Sequence, residues 1–219
     1  GSIANSKPPA AGGARALIGH FFPMMVIQAL SQALPERVVA TVGSPLWCIN
    51  ATGHREDGSP FANMFFTNGG YGAAHGRDGA HVLSWPSNVS STPVEMIEQL
   101  VPLKVHYRRF RTDSGGDGEF RGGNGQEVLF ESRAPGSVTV AFLAERTRPE
   151  TAPAGIAGGG AGACGELIID GKHVNPKSQH YIERGGTVLI RTPAGGGYGL
   201  PAKRDGDRIA ADRSEGYVS

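Results

Sequence analysis

Between Asp113 and Gly125 the sequence places glycine at 115, 116, 118, 122, 123 and 125, with Asp113, Asp117, Glu119 and Arg121 set among them. Such a run cannot hold a helix or a regular ladder together. Glycine belongs where the backbone takes a positive φ or where another group must come close. The same mixture returns at 68–72 with Gly76-Arg77-Asp78-Gly79, and at 193–199. Read from sequence, these clusters predict a functional surface built from loops.

Composition narrows the class. Gly 34 and Pro 15 in 219 residues fall below the share at which disorder becomes the default reading, yet they disfavour long helices. The length provides for one large domain or two small ones. A net charge of +1 gives no case for nucleic acid or an anionic membrane. The longest apolar run, 21–30, contains Pro23 and Gln28 and is too short for a bilayer, so a cytoplasmic protein is expected. Cys48 and Cys164 stand far apart in unlike surroundings and read as inert thiols.

Spacings of three and four over 14–34 (Leu17, Phe21, Met24, Met25, Gln28) predict one helix, which Pro23 is expected to weaken or split. It follows an extended leading segment over 1–13. Shorter periods predict strands at 38–42, 47–51, 61–67, 101–111, 126–132, 138–143, 178–181 and 187–192. A short helix is expected within 91–101, entered at Thr92-Pro93, and another over 207–216. Asp170-Gly171 between 166–169 and 172–174 predicts a hairpin with a type I′ turn. The Gly/Ala/Pro stretch 149–165 reads as a linker or a close-packed wrap. The fold expected is α+β and β-rich: a leading helix on mainly antiparallel sheets with long glycine-rich loops. Its division is residues 1–150 as a helix plus β core and 151–219 as a β-rich segment packed on it.

The chemistry is sparse. The seven histidines form no HxH, HxxxH or HExxH spacing, and His75, Asp78 and His81 fall in a glycine loop. No GxSxG elbow or nucleotide loop occurs in the required strand-to-helix setting. The remaining charged residues, Arg111 with Asp113 and Glu145 with Arg146, suit acid/base or anion-clamping work, or a salt-bridge lattice that shapes the loops. Trp47, Phe61, Phe65 and Trp85 suit core packing first.

The ordered motifs carry a resemblance. Gly1 to Ala10, Ile18-Gly19-His20, Ala33 to Val38, Gly69 to Ala73, Gly76 to Gly79, Pro86-Ser87, Thr92 to Glu95, Asp113 to Gly118, Arg121 to Gly125, Gly195 to Gly199 and Glu215 to Ser219 resemble the hydantoinase B/oxoprolinase family across nearly the whole chain. The resemblance implies the C-terminal half of a B-type subunit of an ATP-dependent amidohydrolase. An A-type ATPase partner would activate a lactam or hydantoin, and the ring would then open. It implies ATP and Mg on that partner, a divalent transition metal on an N-terminal-half B-type polypeptide, and neither on this chain. The partners implied are those two polypeptides and a small cyclic amide or ketone, in a hetero-oligomer. Asn88 would then hydrogen-bond substrate, Glu95, Asp78 and Asp113 would act as base or orienting groups, and Arg111 would stabilise an anion. A non-catalytic assembly subunit of an ATP-dependent ketone carboxylase stands beside this reading, as does a free-standing binding module.

Overall fold

The computed structural model describes residues 7–9, 15–43 and 45–219. Two antiparallel sheets carry the hydrophobic core. The first takes the order β2 (Pro60–Thr67), β1 (Trp47–His54), β5 (Val138–Leu143), β8 (Gln179–Ile182). The second takes the order β3 (Leu103–Phe110), β4 (Gln126–Ser132), β9 (Thr187–Arg191), β6 (Glu166–Ile169), β7 (Lys172–His173).

Alternation sends one face of each sheet inward, because successive side chains point to opposite sides. Trp47, Ile49, Phe65, Val138, Val140 and Phe142 meet Leu103, Phe130, Leu167, Val188 and Ile190 in one buried cluster. The helix α2 (Val94–Leu100) adds Ile97 to this cluster and touches both β2 and β3. Residues beyond 150 supply β8 to one sheet and β6, β7 and β9 to the other, so both segments of the chain share this core. The β6–β7 hairpin turns through Asp170 (φ 47°) and Gly171 (φ 75°), the two positive values that a type I′ turn demands.

The first helix, α1 (Arg15–Ser31), runs unbroken through Pro23. It meets the remainder through a His20–Ser87 hydrogen bond at 3.0 Å and through Phe21, whose ring centre lies 5.4 Å from the Arg146 guanidinium. Met24 is buried and the Gln28 amide donates to Thr41 Oγ1 at 2.6 Å, while Phe22, Met25, Val26 and Leu30 lie exposed. The expected leading segment over 1–13 lies outside the described residues except at 7–9.

The glycine clusters form no loop surface. Stretches from 40–43, 69–73, 79–82, 114–125, 153–163 and 193–197 run alongside one another at the end of the sandwich where β1 and β4 begin and β2 and β9 end. The 193–197 stretch is surrounded. Gly196 N–H donates to Thr41 O, Gly195 to Gly123 O, Gly197 to Gly160 O and Ala194 to Ala163 O. In return, Gly70 donates to Pro193 O, Ala73 to Gly196 O and Gly116 to Gly195 O. A ladder strand has two neighbours; this one has more, and side chains would keep them apart. A Cβ on Gly70 would stand 1.8 Å from Gly123 O. Glycine is needed here for close approach, as at the axis of a collagen triple helix. The predicted strand over 38–42 joins this bundle and makes only an isolated bridge, Val39 to Ala74. The short helix α3 (Gly206–Ser214), N-capped by Asp205, closes the fold.

Candidate functional site

Register builds the first feature. On the outer face of the second sheet, Arg109 of β3 stands opposite Glu127 of β4, which faces Arg191 of β9, which faces Glu166 of β6. Cross-strand neighbours of opposite charge attract, and the side chains close into an ion-pair row. Arg109 Nη2 donates to Glu127 Oε1 at 2.6 Å, Arg191 Nε to Glu127 Oε2 at 2.6 Å, and Arg191 Nη1 to Glu166 Oε2 at 3.5 Å. Arg111, just past β3, ends the row by donating to Glu166 Oε1, and its Nη1 donates to Cys164 O at 2.6 Å. Burial pushes the Glu127 carboxyl up, but the hydrogen bonds from Arg109 and Arg191 outweigh it and hold Glu127 below its ordinary range. Burial pushes the Arg111 guanidinium down, and Glu166 opposes that shift. Arg109, Glu127, Arg191 and Arg111 of the row line a cavity of about 390 Å³ together with Phe110 and Thr112. Its carboxylates are paired, so the groups it offers a ligand are guanidinium N–H donors.

On the other side of Phe110 lies a second cavity, about 430 Å³, lined by Val82, Ser91, Arg108, Arg109, Phe110 and Gln126. Phe110 forms a wall shared by both.

A buried charge cluster braces the glycine bundle against α3. Asp78 accepts from the Arg121 N–H at 2.6 Å, from Arg204 at 2.8 and 3.1 Å, and from Arg208 at 3.0 Å. Arg204 also holds Asp212 at 2.7 Å, and Arg121 reaches Asp212 at 3.2 Å. Burial pushes the Asp78 carboxyl up; the hydrogen bonds from Arg204 and the Arg121 N–H, with the charges of Arg204 and Arg208, carry it below the ordinary range.

The five residues singled out in the sequence therefore separate. Asp78 belongs to the charge cluster and Arg111 to the ion-pair row. Asp113, at φ 58°, holds the C-terminal tail: its N–H donates to Tyr217 O and its Oδ1 accepts from Ser219 N at 2.8 Å. Asn88, at φ 52°, lies exposed in a turn, and Glu95 lies exposed in the first turn of α2. Glu145 pairs with Lys177, while Trp47, Phe61 and Phe65 are core. Sequence reading missed Glu127, Arg191 and Glu166 because only strand register brings them together.

Among the described residues, no three His, Cys, Asp or Glu side chains are placed to hold a metal ion. Asp78 is committed to arginines, His75 stacks near Phe120 and Tyr198, and His81 Nδ1 accepts the Asn124 N–H at 2.9 Å. These residues do not fit the implied metal. Nor does the glycine bundle fit a nucleotide, since so many of its N–H groups already donate to neighbouring carbonyls. Both cysteines are free, and burial pushes both thiols up. No helix among the described residues is long and apolar enough to cross a membrane.

His81 gives a pH-dependent expectation. It lies between Phe110 and Tyr217, with ring centroids at 5.0 and 4.1 Å. Burial and the Arg121 charge push its pKa below the ordinary 6.5, against the opposing charges of Asp212, Glu215 and Asp78. The unfolded chain then takes up its proton first as pH falls. His81 contributes its full stability above pH 6.5 and loses it on the way down to its depressed folded value. Replacing it in His81→Asn keeps an acceptor without titration. Urea midpoints of wild type should fall relative to the variant as pH drops below 6.5; parallel pH curves would refute this.

A profile of the hydantoinase B/oxoprolinase family matches residues 1–201. The chain belongs to this family. It is 32% identical over 216 residues to the caprolactamase subunit beta of Pseudomonas jessenii, an alignment covering 87% of this chain and 35% of that one. The crystal structure of the ATP-dependent caprolactamase from the same organism superimposes at TM-score 0.71 and 30% identity, over 88% of this chain and 35% of the other. A nucleotide-free acetone carboxylase shares the fold at TM-score 0.70 and 21% identity, over 86% of this chain and 30% of its own. The chain spans about a third of the length of the curated relatives it matches first, 37% and 35%.

Proposed function

We propose that this hydantoinase B/oxoprolinase chain is the C-terminal part of the B-type subunit of an ATP-dependent amidohydrolase. That enzyme would open a lactam or hydantoin ring after activation by an A-type ATPase subunit. The observation that carries the reading is the match to the caprolactamase, in sequence and in fold together, over most of this chain. The carboxylase likeness supports the fold alone.

In this reading the chain supplies binding, orientation and charge stabilisation. Arg111 is the anion-stabilising group of the cleft, positioned by Glu166 and by the Cys164 carbonyl. Asp78 and Asp113 position backbone: one fixes Arg121 and α3, the other the tail beside Phe110. Asn88 and Glu95 lie on exposed surface and would act only where a partner closes over them. In the same proposal, ATP with Mg would be held by the A-type partner and a divalent transition metal by the N-terminal-half B-type polypeptide.

A partner surface belongs to the same proposal. Outward residues over 48–52 of β1, 62–66 of β2, 139–143 of β5 and 179–181 of β8 include no Asp, Glu, Lys or Arg. Met64 (51% exposed) and Tyr181 (68%) stand open on this face. An uncharged sheet face with exposed large side chains suits a permanent interface. Its proposed occupant is the N-terminal-half B-type polypeptide, the larger share of the relatives' length that this chain does not span.

The test is reconstitution of the three polypeptides with ATP and a cyclic amide, ε-caprolactam or 5-oxoproline, reading the linear amino acid by mass spectrometry. ATP-dependent ring opening is expected, with Arg111→Met lowering kcat by tenfold or more, about 1.4 kcal/mol, and Tyr181→Lys with Met64→Lys preventing assembly. Incorporation of labelled bicarbonate into acetone without ring opening would replace this reading with the carboxylase one. Assembly unaffected by the two lysines would remove the interface.

A further inference from the structure

Strand β3 lies at the edge of the second sheet: β4 pairs with one side of it and, among the described residues, no strand pairs with the other. An edge strand offers unpaired main-chain groups to any extended chain that fits beside it. The first half of this edge is guarded. Val105 N–H donates to Glu98 Oε1 of α2 at 2.7 Å, and the register shifts between Val105 and Tyr107. The second half is open. Arg111 N–H donates to Gly125 O at 2.9 Å, just past the Phe110–Gln126 pair. Successive residues of a ladder turn their main-chain groups to alternate sides, so those of Arg109 face β4 while those of Arg108 and Phe110 face outward. Among the described residues, nothing outside β4 bonds to the main chain of either.

The side chains say what would fit there. On the outer face the charges run Glu166, Arg191, Glu127, Arg109, one to a strand with alternating sign. An acidic residue on a strand added beside β3 would continue the row at Arg109, whose side chain is 64% exposed. The residues on either side of that acid would point to the opposite face. There they would meet Phe110, 46% exposed in the wall of the second cavity with Val82. Arg108, Arg109 and Phe110 all line this cavity although consecutive side chains diverge, so it runs along the edge of the strand. Charge disfavours two nearer occupants. β3 carries Lys104, His106, Arg108 and Arg109 and no acid, so pairing with a second copy would set like charges against one another. Residues 1–14 of this chain contain Lys7 but no Asp or Glu.

We propose that this edge takes up an extended segment of another polypeptide, of the pattern apolar–acidic–apolar, as an added strand. Its main chain pairs with Arg108 and Phe110, its carboxylate with Arg109, and its apolar side chains pack against Phe110. In strand addition the main-chain bonds supply affinity and the alternate side chains supply selectivity. The assignment does not depend on ring opening.

The full 219-residue chain, labelled with ¹⁵N, would be titrated with the end-capped peptide Thr-Leu-Glu-Leu-Thr. Two further peptides carry lysine in place of glutamate, or methyl groups on the three central amide nitrogens. Saturable shifts and slowed solvent exchange are expected at the main-chain amides of Arg108 and Phe110. The lysine peptide should bind about fivefold or more weaker, and the methylated one at least tenfold weaker. Arg109→Gln, at a mostly exposed side chain, should erase the preference for glutamate in a chain that still folds. Equal binding of all three peptides, shifts confined to other strands, or no saturable binding would overturn the assignment. Slow exchange at both amides without peptide, together with a dimer in sedimentation, would give the edge to a second copy and overturn it as well.

Discussion

Gly195→Ala is expected to leave little folded protein at 37 °C. The added Cβ would stand 2.0 Å from the Tyr71 carbonyl oxygen and 2.3 Å from its carbon, both backbone atoms. No rotamer change can relieve such a contact. Moving the 69–73 stretch away breaks the Gly123 N–H to Tyr71 O bond at 2.8 Å, and moving 193–197 breaks Gly195 N–H to Gly123 O at 2.9 Å. Either shift runs through the bundle, because each stretch is bonded to several others. Ordinary overpacking costs about 1–3 kcal/mol. A clash with surrounded backbone should exceed about 4 kcal/mol, a large share of the 5–15 kcal/mol typical of a domain. Gly136→Ala is the control, since a Cβ there meets nothing within 4 Å, and its effect should stay within about 0.5 kcal/mol. Circular dichroism melts of the two variants decide the matter. A Gly195→Ala melting point within about 5 °C of wild type would mean that the bundle yields easily and does not brace the fold.

Local chemistry was legible in the sequence wherever local chemistry decides structure. Strands β4 and β5 match the expected bounds because Gln126–Ser132 and Val138–Leu143 alternate and are rich in β-branched and aromatic residues. The Asp170-Gly171 turn and α3 follow from side chains within a few residues of one another. The glycine stretches were conspicuous, but their role was not. Nothing local tells a glycine in a loop from one pressed against a carbonyl 70 positions away, so a buried bundle read as a surface. Pro23 was likewise given too much weight: one missing hydrogen bond did not stop α1. The candidate site was less readable still. Arg111 was found beside its glycine run, but its row joins partners separated by 18, 64 and 25 positions, and only register specifies that. Asp78 and Asp113 were chosen because glycines flank them. Both do fix backbone, yet what they hold, α3 and the C-terminal tail, comes from the far end of the chain.

Arg204→Met should cost about 3–5 kcal/mol at pH 7, the usual effect of leaving buried charge without its partner. The side chains of Arg204 and Asp212 are 8% and 10% exposed, and that of Asp78 is 28% exposed. Removing the guanidinium deletes the bonds to both carboxylates and to the Glu119 carbonyl. Asp78 keeps the Arg121 N–H and the half-exposed Arg208; Asp212 keeps Arg121. Arg208→Met, at an exposed pair, should cost no more than about 1 kcal/mol. Acid then distinguishes charge from packing. In wild type the folded pKa of Asp78 lies below its ordinary 3.8. Its contribution is therefore complete above pH 3.8 and is lost as pH falls through the folded value. Without Arg204 that folded pKa rises, so the variant recovers stability as Asp78 takes up its proton, and the gap to wild type narrows toward pH 4. Adding Asp78→Asn to Arg204→Met should restore part of the loss at pH 7, with a coupling energy of about 1–3 kcal/mol in the double-mutant cycle. Urea unfolding of the four proteins at pH 7 and pH 4 measures all of this. A gap that is the same at both pH values, with no coupling, would show that Arg204 acts through the packing of its stem and that the charges of Asp78 and Asp212 are indifferent to it.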